Sequence, residues 1–246
     1  MNETSEPVRP LGLFARIAGV ITAPRATFEN VVAAPRPFGV LFVMALIIGI
    51  ATSLPQILNE DLRRAGVDMQ VKMAERFGRP PLTAEQFEAA VQQARTFAYL
   101  GPVFALVWLP IVTTIFTAIY WVVFNAILGG TASFRQVLAI VAHSQVVTAI
   151  GAVAAAPIQY AQSTMSMAGP FTLGPLVSFL PEGNSIRSLM AATSVFTIWS
   201  LVVSAIGLAV LYRRKATSIS IGLIIAYLLI AGTIISMFSG FSGTGR

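Results

Sequence analysis

The sequence predicts an all-α, polytopic membrane protein with five transmembrane helices, N-terminal interfacial amphipathic helices and an extramembrane helical hairpin. Of its 246 residues, 56% are hydrophobic and only 11% are charged, whereas a soluble domain carries roughly 25% charged residues. Five apolar segments reach the roughly 20 residues that cross a hydrocarbon core of about 30 Å. Because bare backbone polar groups cannot face lipid, each of these segments must be a helix.

The five predicted spans cover residues 38–58, 101–128, 137–160, 189–212 and 219–238. Together they make up a membrane domain of residues 38–238, which is followed by a C-terminal tail of residues 239–246. Pro102 and Pro110 lie in the first half of the long second span. Since an internal proline removes a backbone hydrogen bond, we expect the second span to be tilted or kinked there.

Residues 1–37 are predicted to form a cytoplasmic tail that contains two short amphipathic helices. Arg16 lies off the apolar face of the first helix, whose residues recur at helical spacing: Leu13, Phe14, Ile17, Val20 and Ile21. Pro24 suits the first turn of the second helix, and Pro35 ends that helix. The pattern is typical of helices that lie in the headgroup plane of a bilayer. The alternative is a pair of helices packed on the ends of the other spans.

Residues 59–100 form the one large polar insertion and are predicted to be a helical hairpin, broken between Gly78 and Pro81. Thr83 and Gln86 match the capping-box pattern, so the second helix should begin there and can continue directly into the second span. We favour a solvated hairpin that stiffens the exit from the first span, with a partner-docking arm as the alternative. The apolar loop 161–187, rich in Gly and Pro, is predicted to be a partly buried cap at the outer surface.

Basic residues concentrated on one side of the membrane predict the orientation of the chain. The short turn between the fourth and fifth spans contains Arg213, Arg214 and Lys215; the same side includes Arg9, Arg16, Arg25, Arg36 and Arg135. The opposite side has a similar number, but six of them lie in residues 59–100, mixed with six acids. Because a short basic turn should outweigh scattered loop charges, we predict a cytoplasmic N-terminus and an extracytoplasmic C-terminus. Apart from Arg9, these basic residues are candidates for binding anionic lipid headgroups.

The sequence contains no recognisable catalytic or metal centre. It has no cysteine, and no Asp or Glu falls inside a predicted span. Because ion-coupled carriers usually keep a carboxylate at membrane depth, this class of transporter is disfavoured. No phosphate-binding loop, metal-ligand cluster or serine nucleophile motif occurs either. We therefore predict a protein that is not an enzyme and that uses no cofactor and no metal.

His143 is the only histidine, and it lies inside the third span. We interpret it as a residue hydrogen-bonded between helices, which is the usual role of polar residues in a bundle. The alternative is a part in a transport pathway or in pH sensing, because histidine titrates near neutral pH. Asn125 and Gln145 are further polar residues in the spans and are expected to bond across helices in the same way.

The turn between the second and third spans has the pattern Gly-Gly-x-x-Ser-Phe. Gly129 and Gly130 can adopt backbone conformations closed to other residues and so predict a tight turn. Ser133 is predicted to cap the third span, and Phe134 to pack at the membrane interface beside Arg135. Small residues four positions apart, at 205 and 209 and at 222 and 226, predict close helix packing or a homo-oligomer.

The chain contains three stretches in a definite order: RIAGVITAPRATFENV before the first span, GGTASFRQVLAIVA entering the third, and IWSLVVSAIGLAVLYRRKA closing the fourth. Together they resemble the Yip domain family over roughly residues 13–238. The resemblance implies a five-helix fold with a cytoplasmic N-terminus. Eukaryotic members of that family are Rab/Ypt-interacting membrane proteins of early secretory traffic, and many bacterial members have no settled activity.

The chain departs from the eukaryotic members of that family at two places. It lacks their Asp-x-Tyr-Gly-Pro stretch before Leu11, and AHSQVV lacks the proline that many members have after the Gly-Gly turn. These departures put Rab-type GTPase binding in doubt. They make the chain more similar to a bacterial member, which would lie in the inner (plasma) membrane.

We therefore interpret the chain as a non-enzymatic integral membrane protein of the Yip type, which organises the membrane or holds partner proteins, as trafficking-type members do. The alternative is a small-molecule or lipid transporter or channel built from spans two and three. The expected partners are anionic lipid headgroups, together with proteins or a second copy bound through the small-residue faces. Nucleic acid is not expected, because the basic residues flank apolar segments and form no aromatic-bearing stripe.

Overall fold

The computed structural model describes residues 10–162, 170–181 and 184–240. Parts of the predicted loop 161–187 and of the predicted C-terminal tail lie outside these residues. The described residues form α-helices, one π-helical turn (Val122–Ile127) and one 3₁₀ turn (Gly174–Val177). The α-helices are α1 (Leu13–Thr22), α2 (Pro24–Ala33), α3 (Pro37–Leu58), α4 (Glu60–Arg76), α5 (Ala84–Trp121), α6 (Phe134–Gln162), α7 (Ser185–Ala192), α8 (Val195–Tyr212) and α9 (Ala216–Gly240).

Among the residues that the structure describes, five helices are long and apolar enough to cross a membrane, which confirms the predicted all-α, polytopic fold class. They are Pro37–Leu58, Ala84–Ile127, Phe134–Gln162, Val195–Tyr212 and Ala216–Ser236. Successive spans run in opposite directions. One end of the bundle, called the basic end below, therefore carries α1, α2, the α5–α6 turn and the α8–α9 turn. The other end, called the hairpin end, carries α4 and the start of α5.

Helix α6 forms the centre of the bundle and packs against α3, α5 and α8. Val137, Ile140 and Val147 on α6 are fully buried, together with Ala139 and Ala142. By contrast, α5 and α9 display long rows of exposed apolar side chains, as a lipid-facing helix does. Since the hydrophobic effect is absent between helices in lipid, close packing around α6 is what holds the spans together.

The N-terminal helices α1 and α2 pack on the basic end of the bundle. This arrangement is the alternative in which the two helices cover the ends of the other spans. Phe28 and Val31 of α2 are fully buried, and α2 contacts both α6 and α8. A Cβ atom added to Gly207 of α8 would lie 3.0 Å from the Phe28 ring, so this glycine makes room for Phe28. Phe14 of α1 stays outside and is 79% exposed.

Arg16 is buried, although the sequence pattern placed it off the apolar face of α1. It is 2% exposed, and its Nη1 donates a 2.9 Å hydrogen bond to the carbonyl oxygen of Ala34, just after α2. The last carbonyls of a helix have no intrahelical partner, so the guanidinium supplies one. Burial, and then the charge of Arg36, lowers the pKa of Arg16. Arg16 therefore fastens α1 to α2 and, unlike the exposed Arg25 and Arg36, is too buried to bind a headgroup as the sequence predicted.

The predicted helical hairpin is present at the hairpin end. The Thr83 hydroxyl oxygen accepts a 3.3 Å hydrogen bond from the Gln86 backbone amide, and the Thr83 backbone amide donates a 3.0 Å bond to Gln86 Oε1. These two bonds confirm the capping box. Helix α5 then continues through Pro102 and Pro110 into the membrane as one helix of 38 residues. Arg64 of α4 pairs with Glu88 of α5 at 2.6 and 2.8 Å, and this contact raises the pKa of Arg64.

The fourth predicted span, 189–212, is interrupted in the structure. Helix α7 ends at Ala192 and α8 begins at Val195, with Ser194 accepting a 3.2 Å hydrogen bond from the Phe196 amide. The neighbouring loop pairs with this break, because the Leu173 amide donates to the Thr193 carbonyl at 2.9 Å. The break therefore results from a contact between segments that are distant in sequence, combined with a local serine cap.

Candidate functional site

The predicted polar and glycine residues of the α5–α6 turn come together around the side chain of Asn125. Its Nδ2 donates to the Ala132 carbonyl at 2.7 Å, and its Oδ1 accepts from the Ala132 amide at 3.2 Å. Tyr212 at the end of α8 donates a 3.0 Å hydrogen bond to the same Oδ1. Trp121 Nε1 adds a 3.0 Å bond to the Ala132 carbonyl. We call Asn125, Ala132, Tyr212 and Trp121 the turn lock, because they join α5, α6 and α8.

The π-helical turn that ends α5 positions the turn lock. In this turn the Leu128 amide bonds to the Val123 carbonyl at 3.0 Å, a spacing of five residues instead of four. A π-helical turn is rare and marks a local departure from regular geometry, frequently at a functional site. Here it places Phe124 against Tyr212, with stacked rings whose centroids are 4.8 Å apart.

The two glycines of the turn have different roles. Gly129 has a φ of +72°, the left-handed region that glycine adopts without steric cost. Gly130 has no positive φ, but a Cβ atom there would lie 2.5 Å from the Tyr212 ring and 2.8 Å from the Phe124 carbonyl oxygen. The sequence pattern assigned the same backbone role to both residues. The structure assigns the special backbone conformation to Gly129 and the close approach to Gly130.

Ser133 caps α6, as predicted. Its Oγ accepts a 3.3 Å hydrogen bond from the Gln136 amide, and its own amide donates to Gln136 Oε1 at 3.0 Å. Gln136 also donates a 3.3 Å bond to the Val32 carbonyl, so the cap is connected to α2. Phe134 is half-buried and meets the Trp121 ring edge-on, with centroids 6.4 Å apart, while Arg135 is exposed.

His143 lies fully buried in the middle of α6. Its Nδ1 is 2.7 Å from the Ala139 carbonyl of the same helix, rather than bonded across to another helix as expected. Its Nε2 has no hydrogen-bond partner among the described residues. The next residue, Ser144, also bonds within α6, donating to the Ile140 carbonyl at 3.0 Å. These side chains are therefore packed into the core instead of lining a hydrated space.

Gln145, like Gln136 at the start of α6, does bond to another helix. Its Nε2 donates a 3.4 Å hydrogen bond to the Thr113 hydroxyl of α5. Thr113 and Thr117 are fully buried, and the Thr117 hydroxyl donates to the Thr113 carbonyl at 2.7 Å. Within the described part of the chain, no three His, Asp or Glu side chains gather into a metal site.

The remaining basic candidates are exposed at the basic end. Arg213 has a left-handed φ of 52°, and Arg214 Nη2 donates a 3.0 Å hydrogen bond to the Leu128 carbonyl. Lys215 follows directly before α9. Arg25 forms an exposed pair with Glu29 at 3.5 Å. The predicted headgroup candidates therefore all lie at the basic end, and all of them except the buried Arg16 are exposed.

Three interacting side chains were absent from the candidates predicted from sequence: Tyr212 and Trp121 of the turn lock, and Thr113, the partner of Gln145. Tyr212 and Asn125 are 87 residues apart, and nothing in the local pattern of either residue indicates the other. Aromatic residues at helix ends are also typical of any membrane interface, so their hydrogen-bonding role is not visible in composition.

Comparisons with known proteins agree with this architecture. Residues 18–238 match the family model described as the Yip1 domain. The chain is similar to "Membrane protein YknW" of Bacillus subtilis, with 26% identity over 231 residues, covering 92% of this chain and 88% of that protein. No solved structure matches the chain.

Proposed function

Because the chain belongs to the Yip1 domain family, we propose that it is a non-enzymatic membrane scaffold, which organises the bilayer or holds a partner protein. The observation that carries the proposal is the packed centre of the bundle. His143 and Ser144, the polar residues in the middle of α6, bond to carbonyls of their own helix and are buried. A solute pathway needs polar groups that face an open space, and these groups face packed side chains instead.

The positions of two surface grooves also favour a scaffold over a transporter. One groove, of about 640 Å³, lies at the hairpin end between α3, α4 and α5. The other, of about 610 Å³, lies between α5 and α9 at the basic end. No α6 residue lines either groove. Both are therefore on the flanks of the bundle, where another molecule can dock without crossing it.

The hairpin-end groove is the proposed docking place for a protein partner. Its lining is half polar and includes the amides of Gln56, Gln70 and Gln93 from three different helices. Amide side chains both donate and accept hydrogen bonds, which suits a peptide segment. The Arg64–Glu88 pair and the capping box hold the two arms of the hairpin in place beside the groove.

Orientation and location are part of the same proposal. The N-terminus and the basic end face the cytoplasm, the hairpin end and the C-terminus face the outside, and the membrane is a bacterial inner membrane. The short basic turn at Arg213–Lys215 supports this orientation. Arg25, Arg36 and Arg135, which are exposed on that end, then contact anionic headgroups.

Site-specific photo-crosslinking in living cells tests the scaffold proposal. A photoreactive amino acid at Gln70 or Gln93 should give a discrete adduct with one protein, and the same amino acid at Lys72 should not. Lys72 is the matched control, since it lies on α4, is exposed and is outside the groove.

The contrasting experiment uses the buried polar pair at the centre of the bundle. Gln145→Leu and Thr113→Val should leave the cellular phenotype of the gene unchanged at matched expression. If these variants fold normally but abolish the phenotype, and no hairpin adduct forms, the scaffold is wrong and the transporter takes its place.

A further inference from the structure

We propose that the groove between α5 and α9 binds one anionic phospholipid, with its phosphate on the Arg213–Lys215 turn and an acyl chain along the groove. The inference goes beyond the scaffold proposal and does not rest on it, because it concerns a lipid rather than a protein partner. The shape of the groove and the charges at its mouth together match such a lipid.

The groove is long, apolar and open to the side of the bundle. Its volume of about 610 Å³ is within the range of small-molecule sites, roughly 300–1,000 Å³. One wall consists of Ile119 and Val123 near the end of α5, and the other of Leu223 and Ala226 on α9. Helix α9 packs on α7 and α8, so its side toward α5 is left uncovered. The groove is therefore a gap between two lipid-facing helices, which an acyl chain can enter from the bilayer.

Gly222 keeps the groove open on the α9 side. It lines the groove, and a Cβ atom built on it would meet nothing within 4 Å. Its φ is not in the left-handed region. No backbone conformation or close helix contact in the structure therefore requires glycine at this position. The absence of a side chain at Gly222 leaves space in the groove.

Three cations surround the mouth of the groove. Arg213, Arg214 and Lys215 all line it and are exposed. The turn is fixed, because the Arg214 amide bonds to the Ala209 carbonyl and the Arg214 side chain bonds to the Leu128 carbonyl, both at 3.0 Å. No acidic residue lines the groove, and among the described residues none of these three cations forms an ion pair. The mouth therefore presents uncompensated positive charge beside an apolar gap.

An anionic phospholipid matches both the positive charge at the mouth and the apolar groove behind it. Its phosphate neutralises cations at the depth of the headgroups, and its acyl chain fills an apolar space that faces the bilayer. A second copy of the chain fits less well. In a symmetric dimer through this face the same cationic turns would meet in the interface, and like charges would remain unpaired.

Native mass spectrometry of the full chain, released from nanodiscs of equal phosphatidylglycerol and phosphatidylcholine, tests the proposal. We expect one retained phosphatidylglycerol per chain, enriched roughly tenfold over phosphatidylcholine, as expected for several cations near one headgroup. The double substitution Arg213→Gln/Lys215→Gln should abolish the enrichment. Arg95→Gln, which removes an exposed charge at the hairpin end and outside the groove, should leave it unchanged.

A second variant tests the acyl-chain half of the site. Gly222→Leu fills the groove without touching the charges, and leucine is a better helix former than glycine, so folding should be retained. It should reduce retention of phosphatidylglycerol by roughly fivefold, the effect of excluding one or two methylene groups of the acyl chain. Ile225→Phe, which adds bulk on α9 outside the groove, is the matched control. If Gly222→Leu fails to fold, Ala226→Phe replaces it.

Three results would overturn the proposal. Retention that survives Gly222→Leu but is lost in the charge variant means that the turn attracts headgroups without an acyl site. Equal displacement of the lipid by millimolar inorganic phosphate means that the ligand is a free anion. A change from dimer to monomer in Gly222→Leu, with no change in lipid, means that a second copy occupies the groove.

Discussion

Asn125 joins three helices through a single amide group, and its removal should destabilise the bundle. Asn125→Ala leaves both the amide and carbonyl of Ala132 without this partner, as well as the Tyr212 hydroxyl. Leaving a buried polar group unsatisfied costs about 1–3 kcal/mol. We therefore expect a clearly lower thermal midpoint in mild detergent. Tyr212→Phe removes only one bond and keeps the ring stack, so its midpoint should fall much less. Equal losses in the two variants would contradict the turn lock.

Substitutions at the two turn glycines should lower the stability of the protein for different reasons. Gly129→Ala must hold a positive φ, which costs about 1 kcal/mol, whereas Gly129→Asn should be tolerated better because asparagine adopts this conformation. Gly130→Ala should be destabilising through the collision of its Cβ with the Phe124 carbonyl and the Tyr212 ring. Gly12→Ala is the control, with nothing within 4 Å and no positive φ. Thermal midpoints measured side by side would refute this division if asparagine rescues position 130 but not position 129.

His143 should be replaceable by a residue that cannot titrate. Its Nε2 has no partner among the described residues, so removing the ring removes a buried polar atom that the core does not satisfy. His143→Leu keeps a similar volume, and we expect a thermal midpoint equal to or above that of the unsubstituted protein. The cellular phenotype should be unchanged between pH 5.5 and 8. Normal folding with loss of a pH-dependent phenotype would instead place His143 in a transport pathway.

Residue roles that depend on local chemistry could be predicted from sequence, and those that depend on distant partners could not. The cap at Ser133 could be predicted because a serine just before a helix is a local signal. The burial of Arg16 was missed because its partner, the Ala34 carbonyl, lies 18 residues away and is a backbone atom. A helical wheel places Arg16 off the apolar face but contains no information about which neighbour covers it.

At the scale of elements, the docking of α2 should depend on Phe28. This side chain is fully buried beside Ile140 and Gly207. Phe→Ala in a packed core costs about 3–5 kcal/mol. Phe28→Ala should therefore release α1 and α2 while the five spans stay folded. Phe14→Ala, at an exposed position of α1, should have no such effect.

Limited trypsin digestion measures this release directly. Arg16 is buried and should resist cleavage in the unsubstituted protein, whereas Arg25 is exposed. Cleavage after Arg16 should accelerate in Phe28→Ala and not in Phe14→Ala. Equal digestion of all three proteins would mean that the packing of Phe28 does not hold the N-terminal helices.

The spans were predictable because length and hydropathy are properties of each segment alone. The break between α7 and α8 was not, since residues 189–212 read as one apolar run. The loop residue that bonds to the Thr193 carbonyl, Leu173, lies 20 positions earlier in the chain. The sequence also did not determine what α1 and α2 pack against, because an amphipathic face fits a lipid surface and a protein surface equally well.

At the scale of the whole molecule, the structure determines which segments share an end, and the charges predict which end is cytoplasmic. The chain has no cysteine, so single substitutions to cysteine give an unambiguous labelling signal. Cysteines at Arg36, Thr131 and Ser218, all exposed at the basic end, should be protected from a membrane-impermeant thiol reagent in intact cells. A cysteine at Gly78, in the turn of the hairpin, should react. Labelling of the first three positions and protection of the last would reverse the orientation.

The same labelling identifies which charges set the orientation. Neutralising the α8–α9 turn by Arg213→Gln, Arg214→Gln and Lys215→Gln removes the short basic turn that should weigh most. A fraction of the chains should then insert inverted, with Gly78→Cys protected and Thr131→Cys labelled. The control is Arg64→Gln with Arg79→Gln, which removes two basic residues from the hairpin. Because scattered loop charges mixed with acids contribute little, this variant should keep the original orientation. An inversion caused by the hairpin variant but not by the turn variant would mean that the hairpin governs insertion.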